Sequence, residues 1–381
     1  MTELLPQPSL LFTLGTYIAM IAVLVVVHEG GHFLAGRFFK TKIDAFAFGF
    51  GRELLGWTDR SGVRWKLNLI PLGGYVKFTG DMNESSQMDP ALLSLPVSER
   101  AGLFAFKPLW QRAIIVAAGP AINFVFAILI LAGFYMALGH PLTPPVVSSV
   151  LPGSAAAEAG IVPGDRIVSI DGERIERFED IVNTVMGGTG EAMRLEVARG
   201  EAVRTVLLKP RMIETKDRFG NVTRHGRLGI ARGEQVVNEV NPLQAVAYGV
   251  KDTWDITLTI ATTLRQVVMG DRSLDELGGP IKTGQVTGQQ ASLGLLSFTA
   301  FMAFFSINLG FINLIPIPML DGGHLLLYAV EAVRRRPMGE RVQQWAFMSG
   351  FAAIMSLMAV LTWNDLSSIG IFKQLSGWLG G

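Results

Sequence analysis

The sequence predicts a multi-pass α-helical membrane protein of about four transmembrane helices, with a small membrane-associated β element and one α+β domain outside the membrane. Three observations carry this. There are four apolar runs of bilayer length, the mean hydropathy is +0.37, and a long 141–290 stretch with short β-type runs separates the second run from the third. Only 17% of the 381 residues are charged, against about a quarter in soluble domains. A net charge of +1 predicts no nucleic-acid partner. The absence of cysteine removes disulfides, thiolate zinc sites and a cysteine nucleophile, leaving histidine and carboxylate as metal ligands.

A bilayer needs about 20 mostly apolar residues per helix, which 10–34, 113–138, 295–315 and 345–363 supply. Trp345 and Trp363 bracket the last as interfacial anchors. The N-terminus carries Glu3 and no basic segment, so it does not read as a cleavable signal peptide. Basic residues set the orientation. Arg37, Lys40 and Lys42 follow the first span, Lys107 and Arg112 precede the second, and Arg334, Arg335, Arg336 and Arg341 lie between the last two. All share one side of an alternating chain, which the positive-inside rule makes cytoplasmic, so both termini and the 141–290 stretch are expected outside.

Two of the apolar runs are interrupted. Gly119-Pro120 with Asn123 breaks the second, where a missing donor and an amide need protein neighbours. The third runs on to Val333, but Pro316 and Pro318 do not fit one regular helix. The reading is a helix to about Leu314, an irregular loop, and a second helix from Gly322 or Gly323. Irregular backbone at membrane depth is tolerated where it lines protein or a wet cavity, so the loop is expected at a site.

Between the first two spans, 43–51 alternates, and 65–70 and 75–78 are extended around Pro71 and Gly73-Gly74, which argues for strands. Such a sheet either exposes an edge for an unwound peptide or forms a merely packing hairpin. The polar 81–107 stretch reads as a cytoplasmic loop. The predicted organisation is a membrane core in two halves, 1–140 (with an insert at 43–112) and 291–381. These flank the external domain at 141–232 and a linker at 233–290, whose 242–269 part reads as an amphipathic helix lying on the surface. His140 and His225 read as ordinary loop residues.

The chemistry is concentrated in His28-Glu29-Gly30-Gly31-His32, at the end of the apolar 10–27 run. Residues four apart share one helix face, so both imidazoles can grip one Zn²⁺ while Glu29 turns toward a water. Ionisable groups in such a segment are costly, which argues against a bland role. In the later run Asn313-Leu-Ile-Pro316-Ile-Pro318-Met-Leu-Asp321-Gly-Gly-His324, Asp321 would complete a His, His, Asp set with an open position. His324 is either a fourth ligand or a side chain supporting the site.

These motifs, with Gly119-Pro-Ala-Ile-Asn123, Leu72-Gly-Gly-Tyr75-Val-Lys and Gly278-Gly-Pro-Ile281, resemble the site-2 protease family, peptidase family M50. The resemblance implies an intramembrane zinc metalloendopeptidase of the bacterial inner membrane, engaged in regulated intramembrane proteolysis. It assigns His28, His32 and Asp321 as zinc ligands, Glu29 as the catalytic base, and Asn313 near the substrate backbone. Pro316, Pro318, Asn123, Gly74 and Tyr75 follow as further substrate-binding candidates. Substrates would be single-span proteins, an anti-sigma factor already trimmed outside or remnant signal peptides. The 150–172 segment resembles a bacterial PDZ domain covering roughly 146–230, which binds an extended peptide or an ectodomain by strand addition; Leu228-Gly-Ile230 is a groove candidate. Known relatives carry two such domains in tandem, whereas this stretch accommodates one. The alternative is a non-enzymatic PDZ-bearing membrane scaffold with a structural zinc. Glu29 discriminates, since a structural site needs no carboxylate base. A zinc transporter is disfavoured by the single metal constellation.

Overall fold

A computed structural model describes residues 8–80, 94–96, 100–187, 190–216, 222–270, 278–336 and 338–368. Most of the polar 81–107 loop therefore lies outside the described residues. The chain divides into two compact units, one of Met1–Ala132 with Val246–Gly381 and one of Gly133–Ala245.

The first unit is built on α1 (Leu10–Phe38), which starts where Ser9 Oγ accepts a hydrogen bond from the Phe12 amide. A hairpin follows, β1 (Ile43–Thr58) and β2 (Arg64–Phe78). Register shows more than two strands' worth of pairing. Phe46 lies opposite Trp65 on one side and Val76 on the other, while Trp57 also faces Trp65. The bent hairpin thus lays 45–48 between 64–67 and 74–77, and leaves 74–78 as an edge. Strands are present where alternation predicts them, but longer, because each bends back to pair twice.

Helix α2 (Leu109–Leu138) runs unbroken through Pro120, which corrects the expected interruption. A proline removes one donor and frees one carbonyl, and the rest of the ladder holds. Gly119, Pro120 and Asn123 are all buried, so the polar and kink-prone residues do face protein.

In the second unit β3 (His140–Leu142) and β4 (Val147–Val150) lead into α3 (Ala155–Glu158), β5 (Arg166–Ile170), β6 (Glu173–Arg174) and α4 (Phe178–Gly187). Strands β7 (Met193–Arg199), β8 (Ala202–Leu208), β9 (Arg211–Lys216) and β10 (Val222–Arg227) follow, then β11 (Ile230–Arg232) and β12 (Val236–Asn238). The sheet order is β6-β5-β7-β8, and β4 pairs with β11. Alternate residues of β7 (Met193, Leu195, Val197) point into a core shared with Ile167, Ile170, Ile181 and Leu228. β3 pairs with β12, so the unit reaches past 232 and takes in the first part of the expected linker. His140 is correspondingly a buried strand residue rather than a loop one, its ring 4.7 Å from that of Tyr135. His225 lies in β10.

The chain re-enters the first unit through α5 (Pro242–Met269), whose bounds match the expected helix. Its Ile256 and Ile260 pack on a cluster of Ala127, Ala303 and Ile307, which corrects the expectation of a purely surface-lying segment. Helix α6 (Pro280–Ser292) is polar yet packs Gly284 and Gly288 against Tyr17 and Thr13 of α1. Next come α7 (Leu295–Leu314), α8 (Asp321–Arg334) and α9 (Glu340–Ser368). The backbone donors at the start of α6 are met by Asp365 of α9, which accepts from Gly279 (3.1 Å), Ile281 (3.0 Å) and Lys282 (3.0 Å) amides. A buried carboxylate opposite a helix N-terminus satisfies orphan N–H groups and complements the dipole. Among the described residues four helices are long and apolar enough to cross a membrane: Leu10–Phe38, Leu109–Leu138, Leu295–Leu314 and Arg341–Ser367.

One buried charge anchors the second unit. The fully buried Asp165 accepts two hydrogen bonds from Arg199 (2.7 and 2.8 Å), one from Arg204 (3.2 Å) and one from the Val162 amide (3.0 Å). The Arg199 hydrogen bond is the main cause that pulls its carboxyl down to about 2. Its contribution is therefore complete above the ordinary carboxylate value near pH 4 and drains as pH falls toward 2. Asp165→Asn is expected to cost this unit about 2 kcal/mol at pH 7, read as faster amide exchange in β5 and β7 of the full-length protein. Unchanged exchange there would refute the role given to Asp165.

Candidate metal centre

Two imidazoles and one carboxylate converge in the first unit. His28 and His32 lie one turn apart on α1, with ring centroids 4.9 Å apart and planes at 82°. Asp321, the first residue of α8 rather than part of the preceding loop, brings Oδ2 to 3.1 Å from His28 Nε2 and Oδ1 to 3.5 Å from His32 Nε2. The two Nε2 atoms are 3.3 Å apart. One ligand atom from each residue falls within 4.8 Å of the others, so a single ion can touch all three.

Backbone packing makes the convergence possible. Gly31 meets the Ala118 carbonyl and Gly119 meets the His32 ring, so a side chain at either would drive α1 and α2 apart. Residues 315–320 leave helical geometry, with Met319 at φ 85°, and Gly322 then packs directly on the Leu314 carbonyl. The two prolines end α7 and turn the chain, which delivers Asp321 to the imidazoles.

The histidines are held with their outer nitrogens presented to Asp321. His32 Nδ1 lies 2.9 Å from the Ile115 carbonyl, and a carbonyl only accepts, so Nδ1 carries a proton and Nε2 is the nitrogen whose lone pair a metal would take. The Asn123 amide lies 2.9 Å from His28 Nδ1, while its Oδ1 is buried without a hydrogen-bond partner among the described residues. Turning that amide over, which places Oδ1 on Nδ1–H, satisfies the oxygen and leaves His28 Nε2 a lone pair as well. Ser306 Oγ donates to the Asn123 carbonyl (2.9 Å) and keeps the residue in place.

The donor set fits zinc. Asp321 Oδ2 is buried and, despite lying near His28 Nε2, has no aligned hydrogen bond. Ligand atoms of three residues that all lie within 4.8 Å of one another are the arrangement a cation completes. Two neutral imidazole nitrogens and a carboxylate are a three-ligand set that keeps a fourth position open.

A cavity of about 890 Å³ opens on these residues. It is lined by His28, Glu29, His32 and Asp321, together with Asn313 and the edge strand from Gly74 to Phe78. Asn313, at the end of α7, also donates to the Leu309 carbonyl (3.0 Å). Pro316 and Pro318 shape the adjacent loop and are not among the lining residues, and Asn123 is fully buried behind His28. His324 lines the same cavity with its ring 4.9 Å from that of Phe347; the ligand cluster contains the other three residues and not His324. Sequence patterns pointed to neither the Ile115 carbonyl nor the α9 wall of Phe347, Met348 and Phe351, since backbone acceptors and packing partners leave no spacing signature.

Fold and site together define a protein of four membrane-length apolar helices with a three-residue cluster able to hold a metal ion. The model of peptidase family M50 matches residues 16–357, and the chain belongs to that family. Relatives named as zinc metalloproteases include one from Agrobacterium fabrum, 43% identical over 93% of this chain and 95% of its own length. Another, from Rhizobium meliloti, is 41% identical over 94% and 97%. The metalloprotease MmpA of Caulobacter vibrioides is 36% identical over 96% and 98%. The chain is a zinc metalloprotease of this family.

Asp321→Asn and His28→Ala are each expected to lower zinc content in elemental analysis of the purified protein. Asn123→Ala, which touches no metal, is expected to weaken zinc affinity about 10- to 100-fold by releasing His28. Wild-type affinity in Asn123→Ala, measured by competition with a chelator, would remove Asn123 from the site.

Proposed function

We propose that the chain is an intramembrane endopeptidase that hydrolyses peptide bonds within transmembrane segments of single-span proteins. The observation that carries this reading is the 74–78 edge, which pairs with 45–48 on one side and with no second strand among the described residues, lining the same cavity as Glu29 and the three ligand residues. A peptide bond in a helix is shielded from attack, whereas an extended segment paired with a sheet edge exposes its carbonyl. Gly74 and Tyr75 would meet the substrate backbone, and Asn313 would hold it from the opposite wall.

Zinc, when bound, supplies Lewis acidity toward the attacking water and the scissile carbonyl. The remaining steps belong to the chain. The Glu29 carboxylate takes a proton from the water and returns it to the leaving amine, without a covalent intermediate. Its place in the turn between His28 and His32 directs it to the cavity rather than to lipid. Asn123 and the Ile115 carbonyl hold the Nδ1 sides of His28 and His32 so that each ring turns Nε2 toward Asp321, which would provide the anionic ligand from the start of α8.

The substrates proposed are an anti-sigma factor trimmed outside the membrane or remnant signal peptides, cleaved in the bacterial inner membrane as in regulated intramembrane proteolysis. The region of about 146–230 is proposed to be a PDZ-like domain, extracytoplasmic with both termini, which docks peptides or ectodomains and controls access. The basic residues flanking the spans support this orientation.

Glu29→Gln keeps volume and zinc but is expected to lower cleavage of a single-span substrate by about 10²- to 10⁴-fold. Cleavage by the wild-type protein should stop on chelation and return with zinc. Near-normal cleavage by Glu29→Gln with zinc bound would end the assignment of the base. Excising 147–228 is expected to leave cleavage of a minimal transmembrane substrate while erasing the preference for trimmed over untrimmed proteins. Should the excised protein hold zinc yet cleave nothing, the unit is part of the catalytic architecture instead.

A further inference from the structure

A second cavity, apart from the one beside Glu29, lies where α1 ends. It encloses about 520 Å³ and is lined by Arg37, Lys40, Thr41, Lys42, Ser61 and Thr79. Its charged lining is of one sign. Among the described residues Asp44 and Asp59 are the carboxylates that contact this lining, and both are engaged elsewhere. Asp44 accepts from Thr79 Oγ1 (2.6 Å), and Asp59 accepts from the Ser61 hydroxyl and amide, the Val63 amide and the Trp65 indole. The Ser61 and Thr79 protons are therefore spent, and the donors left are three cationic side chains and Thr41.

Thr41 separates a built cavity from a merely basic flank. It is 4% exposed, and its Oγ1 is a buried oxygen without a hydrogen-bond partner among the described residues. A buried hydroxyl left unpaired is costly, so it marks where a partner belongs. Positive charge is also crowded here. Lys107 Nζ donates to the Phe39 carbonyl (2.8 Å), and its ammonium is pushed below its ordinary value by burial and then by the Lys40 charge.

The surroundings separate a lipid from a soluble anion. The 29 residues of α1 rise about 43 Å, close to the bilayer thickness with head groups included, which places the last turn in the phosphate layer. Leu34, Phe38 and Trp110 are 62%, 80% and 57% exposed, an apolar surface beside the cations on which acyl chains can lie. A basic pocket at the end of a span, with a greasy wall, is the chemistry that selects an anionic head group.

We propose that this cavity binds the phosphate of an anionic phospholipid, held by Arg37, Lys40, Lys42 and the Thr41 hydroxyl. The site is independent of the hydrolytic centre. Native mass spectrometry of the full-length protein, titrated with phosphatidylglycerol or phosphatidylcholine, reads the bound lipid directly. Wild type is expected to favour phosphatidylglycerol by about tenfold or more, and Lys40→Gln and Lys42→Gln each to weaken it about fivefold. Thr41→Val should weaken it with no change of charge, while Arg341→Gln, a basic flank outside the cavity, should leave it alone. Zinc content of each variant checks that the first unit is folded; if Thr41→Val fails that check, the lysine variants decide. Equal retention of the two lipids, or wild-type retention in Lys40→Gln/Lys42→Gln, overturns the proposal. A third arm adds inorganic phosphate alone. Its failure to displace the lipid supports a head-group site, and displacement at equal concentration overturns the lipid assignment in favour of a soluble phosphate.

Discussion

Three lone-pair donors from two helices far apart in the sequence must meet at one point, and the rest of the first unit is arranged around that requirement. His28 and His32 come from α1, and Asp321 from the start of α8. A partner on one imidazole nitrogen fixes the tautomer and the ring orientation, and so decides which nitrogen presents the lone pair. α2 supplies both partners, Asn123 for His28 and the Ile115 carbonyl for His32. To do so it must lie almost in backbone contact with α1, which is why Gly31 and Gly119 carry no side chain. The motif on one helix is therefore half of a device whose other half is the glycine-bearing face of its neighbour.

The same logic governs polar groups farther from the ligands. α6 is too polar to face lipid, and the structure does not ask it to. Its glycines face α1, Thr287 is fully buried with its hydroxyl on the Thr283 carbonyl (2.8 Å), and Asp365 closes its first turn. The ion pair of Arg112 and Glu331 (2.9 Å), with the guanidinium 4.9 Å over the Tyr328 ring, likewise ties α2 to α8. Since α8 carries Asp321, such pairs bear on ligand position as well as on stability. Backbone donors and charges turned into the packed interior are satisfied there by protein partners.

Much of this was legible in the residues. The four spans, the β insert, the end of one helix near Leu314 and the 242–269 helix follow from hydropathy, alternation and proline chemistry, all properties of short windows. The metal motif was legible because i and i+4 share a helix face whatever the rest of the chain does. The misreadings have a common origin. A proline's local cost is plain in sequence, so Pro120 reads as a break, whereas the packing that accommodates it is not visible there. An amphipathic pattern such as that of 242–269 reveals an apolar face but not what covers it.

Composition and periodicity by themselves determined that this chain enters a membrane, that two histidines and a glutamate share one turn, and that an aspartate waits in a later broken segment. Only the tertiary structure decided that these residues meet, that 74–78 is a sheet edge beside Glu29, and that Asn123 and the Ile115 carbonyl orient the ligands. It alone placed Asp365 on α6 and left the Thr41 hydroxyl buried in a cationic cavity with no hydrogen-bond partner among the described residues. The reason is physical. Local pattern follows from the geometry of a single helix or strand, while contacts between distant segments depend on which small residues allow two backbones to touch and which buried polar atoms find a partner there.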